Sequence, residues 1–168
     1  YIDKLSENGD ESDINKLSKD ICESINKKTV IIYSGTDMSR VVSSRWKTQI
    51  NENAKSKAFI GNLPEVHHNE ILSWDADKNG SKENYIVIFI RDQNEHPQIR
   101  KRFELTKDLI EEKVNIVEVN IANQECTLKT LLELVLLGDL VSLNLAVKLA
   151  VDPNNIDTIE KLKKLLGG

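Results

Sequence analysis

The sequence predicts an α/β protein in which helices cover both faces of a mostly parallel sheet, giving a three-layer sandwich. Short apolar strands alternate with helical patterns along the chain, which is typical of a parallel sheet. The strongest strand, over residues 85–90, is apolar without a break, as expected for a strand buried on both faces. The 168 residues are enough for one domain with a sizeable core.

Apolar periodicity and turn residues divide the rest of the chain into further elements. In the first half they predict a solvated linker over 6–13, a helix over 13–26, a strand over 29–33, a helix over 38–59 that Gly61 caps, and a polar surface loop over 75–82. In the second half they predict a helix over 97–112, a strand over 114–119, helices over 128–137 and 139–150 that Gly138 separates, and a last helix over 156–166. Leu72 and Ile121 mark two weaker strand candidates.

The composition excludes several classes of function. Charged residues make up 30% and hydrophobic residues 39% of the chain, and the net charge is −4 without a long basic run, so nothing indicates nucleic-acid binding. The uninterrupted apolar runs are too short to cross a bilayer. Cys22 and Cys126 lack a CxxC spacing, which favours a reducing cytoplasm over a disulfide framework. The chain starts at Tyr1 and not at Met, so we expect it to be part of a longer protein.

Two polar segments interrupt the apolar patterns and are candidate sites of chemistry. Residues 45–55 place polar side chains around Glu52 where a plain amphipathic helix would carry aliphatic ones. In residues 63–70, Pro64 fixes a turn that is followed by His67, His68 and Asn69. Turns next to helix ends often carry reacting groups, because the backbone there can direct side chains into a cleft.

These segments resemble the C-terminal domain of the bifunctional phosphoglucose/phosphomannose isomerases. The resemblance rests on Asn51-Glu52-Asn53-Ala54-Lys55 and on Leu63-Pro64-Glu65-Val66-His67-His68-Asn69-Glu70, and it continues in Arg91-Asp92, His96-Pro97, Gly138-Asp139-Leu140-Val141-Ser142-Leu143, Val151-Asp152-Pro153 and Ile159-x-x-Leu162-Lys163. It implies a sugar-isomerase (SIS) fold, which is flavodoxin-like. It also implies a division into a linker with an N-terminal helix over 1–28 and an SIS domain over 29–168, the C-terminal half of an enzyme with two such domains.

The resemblance implies roles for individual residues. It implies that Glu52 is the catalytic base, that His68 opens the sugar ring and that Lys163 is the family's helix lysine, with Lys164 as a rival. It also implies that Asn51 and Asn69 contact the substrate. His67 stands where the family usually has Asn, so His67 is a rival of His68.

The activity implied is the interconversion of glucose 6-phosphate, and of mannose 6-phosphate, with fructose 6-phosphate through a cis-enediol. One positioned carboxylate can move the proton between C1 and C2, a histidine can shuttle the ring-oxygen proton near neutral pH, and a lysine can offset enediolate charge. The reaction needs no metal and no cofactor. The resemblance also implies a homodimer in which the histidine reaches the partner's site, and little turnover without the N-terminal SIS domain.

Other interpretations remain open for parts of the sequence. An SIS module can sense a sugar phosphate without converting it, and a dimerisation scaffold would bind none. Asn154-Asn155 stand where many relatives carry a threonine, which bears on the preference between glucose and mannose phosphates. Ser34-Gly35-Thr36 could cradle a phosphate, but it lacks the glycine density of a P-loop and is interpreted as structural.

Overall fold

A four-stranded parallel sheet forms the centre of the computed structural model, which describes residues 13–35, 37–76, 81–92, 94–121 and 128–167. The strands lie in the order β2-β1-β3-β4, and each neighbouring pair is parallel. They are β1 (Thr29–Ser34), β2 (Ala58–Asn62), β3 (Tyr85–Asp92) and β4 (Asn115–Ile121). This order matches the first four strands of the flavodoxin-like series. The predicted α/β class with a mostly parallel sheet is confirmed.

Helices connect the strands and cover both faces of the sheet. They are α1 (Asp13–Ile25), α2 (Asp37–Asn53), α3 (Ser73–Ala76), α4 (Ser81–Asn84), α5 (Pro97–Ile110), α6 (Leu128–Leu149) and α7 (Asp157–Leu165). Two 3₁₀ turns, Glu65–His68 and Glu70–Leu72, follow β2. Helices α1, α2 and α6 pack on one face, while α5 and the segment after β2 pack on the other.

The central strand β3 shows why the sequence forms two cores. Its side chains alternate between the faces of the sheet, as the period of a strand requires. Ile86, Ile88 and Ile90 belong to the cluster that includes Trp46 on α2. Val87 and Phe89 belong to the opposite cluster. Residues 86–90 are all buried, which explains the uninterrupted apolar run in the sequence.

The predicted long helix over 38–59 is wrong in its second part. Helix α2 ends at Asn53, Lys55 adopts a left-handed conformation with φ of 51°, and residues 58–62 form β2, which pairs with β1. Gly61 is therefore a strand residue and not a helix cap. A Cβ at Gly61 would lie 2.7 Å from the Val66 side chain, so this position requires the close approach that glycine allows.

The predicted break at Gly138 is also wrong, because α6 runs unbroken through this residue. A Cβ at Gly138 would lie 2.6 Å from the Trp46 ring, so glycine serves close packing between α6 and α2. The unbroken helix is long and apolar enough to cross a membrane by length and composition alone, although charged residues interrupt its apolar runs. Its inner face packs into the core and Leu134 O accepts a hydrogen bond from the Trp46 indole, so this helix is part of the sandwich.

The remaining expectations have mixed outcomes. Leu72 lies in a 3₁₀ turn and not in a strand, whereas Ile121 ends β4. The predicted loop over 75–82 contains the end of α3 and the start of α4, and Gly80 lies outside the described residues. The predicted linker over 6–13 also lies outside them, except for Asp13, which begins α1.

Candidate active site

A cleft of about 750 Å³ opens between the end of α2 and the segment that joins α6 to α7. The cleft is lined on the α2 side by Thr48, Asn51, Glu52 and Lys55, and on the other side by Val151, Asp152, Asn155, Ile156, Thr158 and Ile159. Two carboxylates, an ammonium, two amides and two hydroxyls thus face a partly apolar pocket. This combination suits a polyhydroxylated ligand, whose hydroxyls need donors and acceptors while its carbon face packs on aliphatic groups.

Glu52 lies in the last turn of α2 on the solvent side of the helix. The inner side of the same turn carries Ile50 and Gln49, which are buried. The Glu52 side chain is exposed and lines the cleft, and it has no hydrogen-bond partner within the described residues. A carboxylate that no neighbour engages is available to a ligand in the cleft.

The two asparagines beside Glu52 fix the backbone around it. Asn51 Oδ1 accepts a hydrogen bond of 2.9 Å from the Ala58 amide at the start of β2. Asn53 Nδ2 donates to Ser142 Oγ on α6 at 2.8 Å. Because these contacts lie on both sides of Glu52, the helix end is tied to β2 and to α6. Asn51 also lines the cleft, where its Nδ2 has no partner within the described part of the chain.

His67 and His68 lie beyond the carboxyl end of β2, in the 3₁₀ turn that follows this strand. His67 Nδ1 lies 2.9 Å from Arg102 Nη1, so it accepts from the guanidinium, and Nε2 lies 2.7 Å from Thr106 Oγ1. Thr106 Oγ1 donates to Arg102 O at 2.7 Å, so Nε2–H donates to Thr106 and the ring is neutral. Burial lowers the pKa of His67, and the charges of Arg102 and His68 lower it further.

The two histidines therefore differ in what their side chains can do. Both ring nitrogens of His67 are used to hold the 3₁₀ turn on α5. The His68 side chain is exposed, and no hydrogen bond to it exists within the described residues. Asn69, the next residue, caps the following turn, because its Oδ1 accepts from the Glu70 amide at 2.5 Å and its Nδ2 donates to Glu65 at 3.3 Å.

Glu52 and His68 lie at opposite ends of the strands. Helix α2 starts after the carboxyl end of β1 and runs back along the sheet, so Glu52 lies near the amino end of β2. His68 follows the carboxyl end of β2, where the Leu63 amide donates to Ser34 O at 2.8 Å. The five residues of β2 separate the two ends by roughly 16 Å. One chain therefore does not bring Glu52 and His68 into one site.

Lys163 and Lys164 lie in the last turn of α7, which is exposed along its length. Neither lysine lines the cleft, but Ile156 and Ile159 at the start of α7 do. Lys163 follows Ile159 by four residues and Ile156 by seven, so all three share one helix face. Lys163 therefore lies on the face of α7 that continues from the cleft, and Lys164 is rotated away from it.

Other residues that the sequence singled out have structural roles. Ser34 Oγ is hydrogen-bonded to Ser43 at 3.0 Å and to Asn62 at 2.8 Å, in agreement with a structural turn, while Thr36 lies outside the described residues. Arg91 contacts the carboxylates of Glu95 at 2.6 Å, Glu104 at 2.5 Å and Glu118 at 3.4 Å. His96 Nδ1 accepts from the Gln98 amide at 3.1 Å and caps α5. Within the described ranges no group of three or more His, Cys, Asp or Glu side chains could hold a metal ion.

Sequence reasoning assigned no role to Asp152, Thr158 or Lys55, although all three line the cleft. Asp152 and Lys55 belong to motifs that the sequence analysis quoted, and those motifs were the available signal. Thr158 lies at the start of α7 and no pattern in the sequence distinguishes it.

The parallel sheet in this strand order, covered by helices on both faces, is a flavodoxin-like α/β domain, and its polar cleft beside the end of α2 suits a polyhydroxylated ligand. The family model described as the bacterial phospho-glucose isomerase C-terminal SIS domain matches residues 14–166, and the chain belongs to this family.

Curated relatives agree with this family. The chain is 34% identical over 154 residues to a bifunctional phosphoglucose/phosphomannose isomerase of Aquifex aeolicus, covering 91% of this chain and 47% of the relative. It is 28% identical over 160 residues to a D-glucosamine-6-phosphate 4-epimerase of Sulfolobus acidocaldarius, covering 92% of this chain and 47% of the relative. The chain thus spans about half the length of the curated relatives it matches.

A solved structure shares the fold. The crystal structure of a glucose-6-phosphate isomerase like protein from Thermus thermophilus superposes with a TM-score of 0.65 at 16% identity, over 82% of this chain and 45% of that chain. At this identity the likeness concerns the fold alone.

Proposed function

We propose that this chain is the catalytic C-terminal half of an aldose–ketose isomerase that acts on glucose 6-phosphate and mannose 6-phosphate to give fructose 6-phosphate. The observation that carries the proposal is the unengaged carboxylate of Glu52 in the cleft, between Asn51 and Asn53, which hold its backbone. The family and the isomerase relatives support the reaction class.

In this proposal Glu52 takes the proton from C2 of the open-chain aldose phosphate, and the electron pair forms the enediolate. The O2 hydroxyl proton passes to O1, and the carboxylic acid formed at Glu52 returns its proton to C1, so that C2 becomes the carbonyl carbon of the ketose. Such a base contributes about 10²–10⁴-fold when it lies within hydrogen-bond reach. Asn51 Nδ2 can donate to a sugar hydroxyl from the adjacent wall, and the Lys163 ammonium offsets enediolate charge if the end of α7 closes over the cleft.

We further propose a homodimer in which His68 serves the partner's site, and Asn69 contacts the same ligand there. The separation of Glu52 and His68 across the sheet supports this arrangement, because a second chain is needed to combine them. Exposed apolar side chains on α6 agree with a protein interface, since Leu128 is 71% and Val147 is 80% exposed. His68 would move the proton of the ring oxygen when the closed sugar opens.

The proposal also concerns the half of the relatives' length that this chain does not span. The phosphate supplies binding energy that orients the reacting carbons, so we expect little turnover unless the amino-terminal half is joined to this chain. We also propose the division into a linker with an N-terminal helix over 1–28 and an SIS domain over 29–168. A cytoplasmic location is part of the proposal as well, and the buried free thiol of Cys22 is compatible with it.

The test is Glu52→Gln in the chain joined to the amino-terminal half that its relatives carry. We expect conversion of fructose 6-phosphate to fall by a factor on the order of 10²–10⁴, because the amide keeps the shape but cannot accept the proton. Glu112→Gln, an exposed glutamate after α5, is the matched control and should keep full activity. Turnover retained in Glu52→Gln would remove Glu52 from the mechanism.

Two other functions are outcomes of the same assay. Wild type that binds the sugar phosphate without converting it would replace the isomerase by a sensing module. If fructose 6-phosphate leaves the thermal melting temperature unchanged, the domain is a scaffold without a ligand site.

A further inference from the structure

We propose that Lys55 is a positioning residue that holds the two walls of the cleft together and thereby fixes the backbone of Glu52. The inference rests on the proposed function, because it gives Lys55 a task in the reaction assigned to Glu52. No role for this lysine follows from the acid–base chemistry. That chemistry needs only the carboxylate, the histidine and a cation that offsets the negative charge of the enediolate.

The first observation is a bridge made by the Lys55 ammonium. Nζ donates to Glu52 O at 2.5 Å and to Pro153 O at 3.2 Å. Glu52 belongs to the α2 wall of the cleft, and Pro153 lies between Asp152 and Asn155 in the opposite wall. One side chain therefore connects the two walls, and one of its two acceptors is the carbonyl of the proposed base itself.

The bridge matters because Asn51 and Asn53 tie the helix end to β2 and to α6, whereas the Lys55 ammonium ties it to the opposite wall of the cleft. The last carbonyls of a helix lack partners within the helix, and a cation there is favourable both as a donor and for the helix dipole. The opposite wall leads into α7, whose residues are all exposed. Without the ammonium, the Glu52 carbonyl and the Pro153 carbonyl lose a shared partner, and the width of the cleft is free to vary.

The backbone of Lys55 makes the inference testable. Its φ of 51° lies in the left-handed region, which glycine adopts at the end of a helix at lower cost than lysine. Lys55→Gly should therefore raise the melting temperature, while it removes the bridge. Lys55→Met keeps the same backbone cost and the side-chain length, and it removes only the ammonium.

The kinetic experiment uses these variants in the chain joined to the amino-terminal half. We expect kcat to fall about 10-fold to 100-fold in both Lys55→Gly and Lys55→Met, since misplacement of a reacting group by about 1 Å costs up to 10². KM should change less than kcat, because the other polar groups of the cleft, such as Thr48, Asn51 and Asn155, remain. Lys55→Arg should restore most of kcat. Asn26→Gly, at the left-handed position after α1 with φ of 50°, is the control and should leave kcat unchanged.

A second measurement separates this inference from the proposed function. In the 168-residue chain by itself, amide hydrogen exchange at Ala54 and Asn155 should become faster in Lys55→Met than in wild type, while exchange in β3 stays the same. Unchanged exchange, or a kcat that survives both Lys55→Gly and Lys55→Met, overturns the positioning role. If wild type fails to isomerise, the proposed function is wrong, and the exchange result still decides whether Lys55 holds the cleft.

Discussion

His67 and His68 are adjacent in the chain, but their surroundings assign them different tasks. His67 is held between Arg102 and Thr106 and is neutral, so it joins the 3₁₀ turn to α5. His68 is exposed next to it. The sequence leaves open which of the two histidines acts, and the hydrogen bonds favour His68: a ring with both nitrogens engaged, as in His67, is poorly suited to exchange protons with a sugar.

The lowered pKa of His67 predicts how stability depends on pH. Because the folded pKa lies below the ordinary value of 6.5, the unfolded chain binds more protons near that pH, and stability falls as the pH drops. We expect the melting temperature of wild type to fall between about pH 7.5 and pH 5.5 more steeply than that of His67→Gln. His68→Gln removes only the weakest of the three causes that lower this pKa, so it should keep most of the wild-type slope. Equal slopes in wild type and His67→Gln would contradict the assignment of a neutral His67.

At the scale of elements, the sequence predicts β3 well and β2 not at all. In β3 the residues from Ile86 to Ile90 are buried on both faces, so the apolar run is visible without any other information. Strand β2 is an edge strand in which Phe59 is exposed and Gly61 carries no side chain, so its five residues lack a strand pattern. Its place depends on the turn at Lys55 and on pairing with β1, which are not local properties.

The same limit applies to the candidate site. The sequence predicts Glu52 inside the second half of a helix over 38–59, and the structure has it in the last turn of α2, because this helix ends at Asn53. The opposite wall includes Asp152 and Asn155, which lie at least 100 residues after Glu52 in the sequence, and its approach depends on how α6 packs against α2. Helical periodicity also gives the wrong result at Gly138, where α6 continues. The residue there is glycine because the Trp46 ring occupies the space that a Cβ would need.

Gly138 gives a prediction about this helix packing. Propensity alone predicts that Gly138→Ala stabilises α6 by about 1 kcal/mol. We expect instead a loss of about 1–3 kcal/mol, because the new methyl group would lie 2.6 Å from Trp46 and Gln49 and would force α6 away from α2. Urea unfolding followed by Trp fluorescence measures the change. Leu143→Ala, at an exposed position of the same helix, should stay within about 0.5 kcal/mol of wild type. A more stable Gly138→Ala would show that the two helices separate at no cost.

At the scale of the whole molecule, the direction of α2 decides how an active site can be assembled. A helix that follows a parallel strand returns along the sheet, so residues at the end of the helix lie near the amino ends of the strands. Residues that directly follow a strand lie at the carboxyl ends. Glu52 and His68 are examples of these two cases. Two residues that are sixteen positions apart in sequence therefore lie at opposite ends of the strands, and the proposed chemistry requires a second chain.

This requirement predicts complementation between inactive variants. Glu52→Gln and His68→Asn should each lose activity, but co-expression of the two, each joined to the amino-terminal half, should restore it. In a mixed dimer one of the two sites combines a native Glu52 with a native His68, so random assembly gives about a quarter of wild-type activity. Glu52→Gln mixed with Lys163→Met is the matched control: the proposed function takes both residues from one chain, so no mixed dimer holds a complete site. Recovery in the control, or none in the first mixture, would show that Glu52 and His68 do not meet across two chains.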